Sequence, residues 1–185
     1  MGANANNAFF YLISTLFDVY LWIVMMRVIL QAVRADFYNP ISQLIWQLTQ
    51  PILGPLQKVL PKVRQWDVAA LGLLAVVAVI YIHAVAAILG YGVGGVTSLW
   101  YALLKLVTLA LNLYTFALFV QAILSWVGPG VSNPAGSVLW SMNEPLLRPV
   151  RRVIPPMSGL DLSPLVVILL LQFANLLVPL PGIFR

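Results

Sequence analysis

Four stretches of the chain, near residues 8–33, 68–90, 98–127 and 162–184, are apolar over lengths that cover a bilayer's hydrocarbon core, which takes about 20 residues of helix. The second and third are joined by Tyr91-Gly92-Val93-Gly94-Gly95-Val96-Thr97, a short glycine-rich turn. The other two connections are long and follow a helical period. In the first, Asn39 suits an N-cap and Pro40 the first helical position, where a missing N–H costs nothing. Ile41, Leu44, Ile45 and Leu48 then share one face, with Ser42, Gln43, Gln47 and Gln50 on the other. Pro51 is expected to end that helix, and a second short one to run to Pro61 with Leu53, Leu56, Val59 and Leu60 apolar and Lys58 and Lys62 on the wet side. The second connection sets Leu146, Leu147, Val150, Val153 and Ile154 against Arg148, Arg151 and Arg152. Such pieces belong in the membrane interface, with apolar faces in the acyl boundary and cations among the headgroups.

The two halves repeat at a constant spacing of 94 residues. Tyr20 matches Tyr114, Ile29-Leu30 matches Ile123-Leu124, Asn39-Pro40 matches Asn133-Pro134, and Trp46 matches Trp140. Pro51, Pro55 and Pro61 match Pro145, Pro149 and Pro155, and Asp67 matches Asp161. One spacing held through spans and turns alike indicates duplication of a whole unit. Residues 1–97 form the first repeat, with an insert at 36–64, and residues 98–185 the second, with an insert at 130–158. The expected fold is an all-α membrane protein of four transmembrane helices in two parallel two-span repeats, each with a cytoplasmic-side amphipathic helical insert.

Composition agrees: 62% of residues are hydrophobic, 8% are charged and the mean hydropathy is +0.96. The net charge of +5 does not point to nucleic acid, because the cations lie beside apolar spans with no nucleic-acid module around them. Seven of them, Arg34, Lys58, Lys62, Arg64, Arg148, Arg151 and Arg152, fall in the two long connections. The positive-inside bias therefore expects both connections in the cytoplasm and both termini outside, with the repeats related by an axis along the membrane normal. The apolar run after Met1–Asn7 is longer than a secretory signal requires and reads as a retained span. No cysteine is present for a disulfide or a thiolate site.

Polar side chains inside apolar spans are costly and need a partner, water or a proton. Asp18 lies in the first span near Tyr11, Ser14 and Thr15; Arg27, sharing a face with Gln31 and Arg34, is expected to snorkel to the cytoplasmic interface. In the third span Tyr101, Lys105, Thr108, Asn112 and Thr115 fall on one face. The repeat aligns Asn112 with Asp18, so facing spans would put the two at equal depth, with Lys105 about two turns outward. Asp18, Lys105 and Asn112 could line a hydrated path or could hold helices together by hydrogen bonds. Gln172 and Asn175, one turn apart, read as the same kind of glue. His83, the lone histidine, reads as a neutral side chain bonded to a carbonyl, and Asp67 and Asp161 as helix caps. No hydrolase, metalloprotease, phosphate-loop or dinucleotide motif occurs, so no catalytic residue, metal site or cofactor is assigned and an enzyme is not expected.

Asp36-Phe37-Tyr38-Asn39-Pro40, the segment from Thr49-Gln50-Pro51 to Pro61, and Glu144-Pro145-Leu146-Leu147-Arg148-Pro149 on to Gly159-Leu160-Asp161-Leu162-Ser163-Pro164 resemble the YggT family over nearly the whole chain. The resemblance implies a bacterial inner-membrane protein of four spans, associated with tolerance of osmotic shock, cell division or membrane assembly, and it carries over no catalytic residue. The first insert departs from the signature, with Gly54-Pro55-Leu56-Gln57-Lys58 where the second has Arg148-Pro149-Val150-Arg151-Arg152. Two readings follow. One is a non-enzymatic organiser whose basic inserts, through Lys58, Lys62, Arg148, Arg151 and Arg152, meet anionic headgroups or a membrane-protein partner. The other is a permease or channel along the Asp18–Lys105–Asn112 seam, with a homo-oligomer supplying the room a four-span bundle lacks.

Overall fold

The computed structural model describes residues 2–60, 63, 66–127, 133–154 and 161–185, without the side chains of 2–6 and 125–127. The outer ends of both expected inserts and the Gly159-Leu160 part of the signature lie outside the described residues. Six α-helices follow one another: α1 (Gly2–Ala32), α2 (Pro40–Val59), α3 (Val68–Leu89), α4 (Gly95–Val127), α5 (Pro134–Val153) and α6 (Ser163–Leu177), then a 3₁₀ turn at Gly182–Phe184. Among the described residues there is no strand, only an isolated bridge between Val63 and Trp66. Three helices, α1, α3 and α4, are long and apolar enough to cross a membrane.

The starts and stops follow local chemistry. The Asn39 side chain accepts from Ile41 N–H and the Asn133 side chain from Ala135 N–H, with a proline next in each case. Asp67 caps α3 by accepting from Ala70 N–H, and Gly90 ends α3 at φ 75, a left-handed conformation that glycine adopts without a Cβ penalty. Asp161 lies two residues before the start of α6, outside the expected cap position, which Leu162 holds, and accepts from Ser163 N–H.

Two expectations need correction. Pro51 does not divide the first insert: α2 runs unbroken through Pro51 and Pro55, and α5 through Pro145 and Pro149. Each proline pair is spaced one turn apart on an exposed face, so the carbonyls that lose a donor open outward and the helix continues. The last helix, by contrast, stops at Leu177 instead of continuing to Phe184. Pro179 pushes Val178 to an extended conformation, and Pro181 removes another donor. A helix of 15 residues is about 22 Å long, short of a bilayer core on its own. The chain then turns inward and buries Leu180 and Phe184 against α3 and α4.

In the packing, α3 lies between α1 and α4, and α4 between α3 and α6; α1 also touches α4. Buried Ala69, Ala70, Ala78 and Ala86 let neighbours approach α3 closely. The inserts lie against their own repeat, α2 on α1 and α3, α5 on α4 and α6, and they also touch each other. Exposed Leu12, Leu16, Val76, Ile80, Leu103, Phe119, Leu169 and Phe173 form an outer surface that water would not tolerate and lipid would. The fold and this surface together identify a membrane protein.

Candidate functional site

Lys105 is 1% exposed, and its Nζ lies 2.8 Å from Asp18 Oδ1. It also donates to Tyr81 Oη at 3.4 Å and sits 4.4 Å from the centre of that ring. Tyr81 Oη donates in turn to the Phe184 carbonyl at 3.5 Å, tying the final turn of the chain into the bundle. One buried cation thus joins α1, α3, α4 and the C-terminal segment. Asp18 and Asn112 take different partners. Asp18 meets Lys105 directly, and Asn112 Oδ1 accepts from Asn175 Nδ2 of α6 at 2.6 Å. Thr108 and Thr115 share the Lys105 face of α4, and their hydroxyls are buried without a hydrogen-bond partner. Arg185 closes the end of α6 by donating to the Asn175 and Val178 carbonyls. His83 is exposed on α3, with no side-chain hydrogen bond among the described residues, so the expected carbonyl partner is not there.

A second polar system fixes the inserts. Arg27 is 8% exposed and does not snorkel. Its Nη1 donates to Thr49 Oγ1 at 2.6 Å, its Nη2 donates to Gln50 Oε1 at 2.9 Å, and Asp67 Oδ2 lies 3.8 Å away. Gln57 of α2 also donates to Asp67. Applying the 94-residue spacing to this cluster finds its twin. Arg27 and Thr49 become Gln121 and Asn143, and Asn143 Nδ2 donates to Gln121 Oε1 at 2.7 Å. Gln50, Gln57 and Asp67 become Glu144, Arg151 and Asp161; Arg151 pairs with Glu144 at 2.7 Å and with Asp161 at 2.9 Å. Each repeat clamps its insert to its spans, but the cation stands on the span helix in the first and on the insert in the second. The signal was present in the sequence as an exchange of Arg27/Gln57 for Gln121/Arg151, which reading each half alone does not reveal.

Arg151 was expected to face headgroups. It is instead held between two carboxylates, its side chain 28% exposed, while Lys58, Arg148 and Arg152 are exposed. Lys62 and Arg64 lie outside the described residues. Partial burial works against ionisation of Asp161, but hydrogen bonds from Ser163 and Arg151 and the guanidinium charge together hold its pKa below the ordinary value. The expected apolar face of the first insert is also rotated: Ile45, Thr49 and Leu53 are buried, whereas Leu44 and Leu48 are exposed. The two inserts join where Asn39 Nδ2 donates to the Pro134 carbonyl at 2.8 Å and to Ser137 Oγ at 2.7 Å.

A family model described as CCB3/YggT matches residues 6–88 and 100–181. An uncharacterised protein of Pseudomonas aeruginosa is 41% identical over 175 residues, covering 94% of this chain and 89% of its own length. An uncharacterised protein of Vibrio alginolyticus is 43% identical over 173 residues, 92% of this chain and 93% of the relative. The uncharacterised protein YggT of Escherichia coli K12 is 39% identical over 171 residues, 92% of this chain and 88% of the relative. No solved structure matches the chain.

Proposed function

This chain belongs to the CCB3/YggT family, and from that premise we propose that it is a non-enzymatic organiser of the bacterial inner membrane that supports osmotic tolerance or membrane assembly. In this reading α6 with the turn after it is the fourth crossing. The repeats at 1–97 and 98–185 run parallel, both inserts lie at the cytoplasmic face, and both termini lie outside. The observation that carries the proposal is that α2 and α5 are each clamped to their own spans and joined to each other through Asn39. Two loose amphipathic helices would each follow the lipid; two helices locked this way form one rigid platform. Exposed Lys58, Arg148 and Arg152 towards the ends of α2 and α5, and exposed Leu44, Leu48, Trp46 and Trp140 nearer their starts, suit that platform to anionic headgroups and to a membrane-protein partner or a second copy.

The Asp18–Lys105 pair supports this reading over a permease. The pair brings its opposite charges within 2.8 Å and Lys105 is buried, an arrangement that holds helices together at the expense of mobile charge. Solute flux from proteoliposomes under an osmotic step tests the choice. Wild type and Asp18→Asn are expected to match protein-free liposomes. Flux above that background that changes in Asp18→Asn would replace the organiser with a conducting path through the seam.

A further inference from the structure

A cavity of about 310 Å³ opens between the end of α1, the 33–38 turn and the first half of α2. Its polar lining is Arg27, Gln31, Arg34 and Ser42, and Phe37 and Trp46 form an aromatic wall, their rings edge to face at 6.1 Å. The Ser42 hydroxyl is buried there without a partner. It sits in the first turn of α2, whose amide end favours negative charge.

Arg34 is the informative residue. At φ 55 it is the one non-glycine among the described residues in the left-handed region. Its N–H donates to the Gln31 carbonyl at 3.2 Å and the Ala35 N–H to the Leu30 carbonyl at 2.9 Å, a helix-ending turn in which this position favours glycine. The matching sequence position in the second repeat is a glycine, Gly128. The first repeat therefore carries an arginine against the preference of its own backbone, and its exposed side chain makes no ion pair among the described residues. The nearest carboxylate in sequence, Asp36, instead accepts from Tyr38 N–H. Asp67 offsets part of the Arg27 charge from 3.8 Å, which leaves Arg34 as the uncompensated cation of the cavity. The same spacing turns Gln31 and Ser42 into Ser125 and Gly136 and Arg27 into Gln121, so the second repeat keeps Trp140 in place of Trp46 but neither cation.

We propose that this cavity binds a phosphate-bearing anion, its phosphate on the Arg34 guanidinium and its less polar part against Phe37 and Trp46. A phospholipid headgroup and a soluble phosphate ester share that chemistry. Native mass spectrometry of delipidated protein in neutral detergent separates them, using short-chain phosphatidylglycerol, glycerol 3-phosphate and a short-chain diacylglycerol without phosphate as probes. Arg34→Gly, which gives the turn the residue it prefers, and Arg34→Gln are measured beside wild type. The expected result is binding of one or both phosphate probes, none of the diacylglycerol, and affinity about tenfold weaker in both variants, the effect of losing one charge-assisted hydrogen bond. Retention of phosphatidylglycerol alone identifies a lipid site, and equal binding of glycerol 3-phosphate a site for soluble esters. Wild-type affinity in both variants, or diacylglycerol bound as well as phosphatidylglycerol, overturns the proposal.

Discussion

At the scale of single residues, the cost of a charge in a span is met by partners the primary structure does not name. Spacing alone put Tyr101, Lys105, Thr108, Asn112 and Thr115 on one face of α4, and that face is the polar one. What spacing lacks is the neighbour: Lys105 meets Asp18 and Tyr81, and Asn112 meets Asn175, choices set by how the helices pack. Removing Asp18 strands a buried ammonium, so Asp18→Asn should cost about 3 kcal/mol in a mixed-micelle unfolding titration. Lys105→Met should cost less, about 1 kcal/mol, because Asp18 is 32% exposed and can take up water or a proton. Equal losses would mean the pair is solvated and not structural. Asp161 gives a pH prediction. Its folded-state pKa is depressed, so its stabilising contribution is complete above the unfolded carboxylate value and is lost as pH falls through the lowered folded value. Thermal melts should therefore drop in acid below about pH 4 for wild type, and the drop should shrink in Asp161→Asn. An unchanged acid profile in the variant would remove Asp161 from that role.

At the scale of elements, the all-helical content was legible because hydrophobic period and capping residues report helices directly. The prolines misled in both directions. Pro51 counted as a breaker, yet its side of α2 is exposed and the helix passes through, while Pro179 and Pro181 shortened a helix whose composition alone extends it. Arg27 also misled, since one arginine near a span end can snorkel or bond inward, and only the position of Thr49 and Gln50 decides. Arg27→Gln should destabilise the protein by about 2 kcal/mol, from the loss of charge-assisted hydrogen bonds to α2. Adding Gln57→Arg should recover at least half of that loss, because the new arginine can pair with Asp67 as Arg151 pairs with Asp161. No recovery in the double variant would show that the two clamps are not interchangeable.

At the scale of the whole molecule, the 94-residue spacing in the sequence relates the two polar systems to each other. Tyr81 corresponds to Asn175 and Asp18 to Asn112, so the same two positions are joined in each half, by Lys105 of the second half in the first and by direct contact in the second. The halves have diverged in charge far more than in plan. Central to the account is that both inserts form one platform on one side of the membrane, opposite the Tyr91–Gly94 turn. The chain has no cysteine, so single cysteines can report sidedness without background. Pro55 and Pro149 are equivalent exposed positions on α2 and α5, and a Cβ at Gly92 meets nothing within 4 Å. Labelling Pro55→Cys, Pro149→Cys and Gly92→Cys in intact cells with a membrane-impermeant maleimide should modify only Gly92→Cys, with all three modified after permeabilisation. Modification of one insert cysteine but not the other in intact cells would place the inserts on opposite sides and contradict the account.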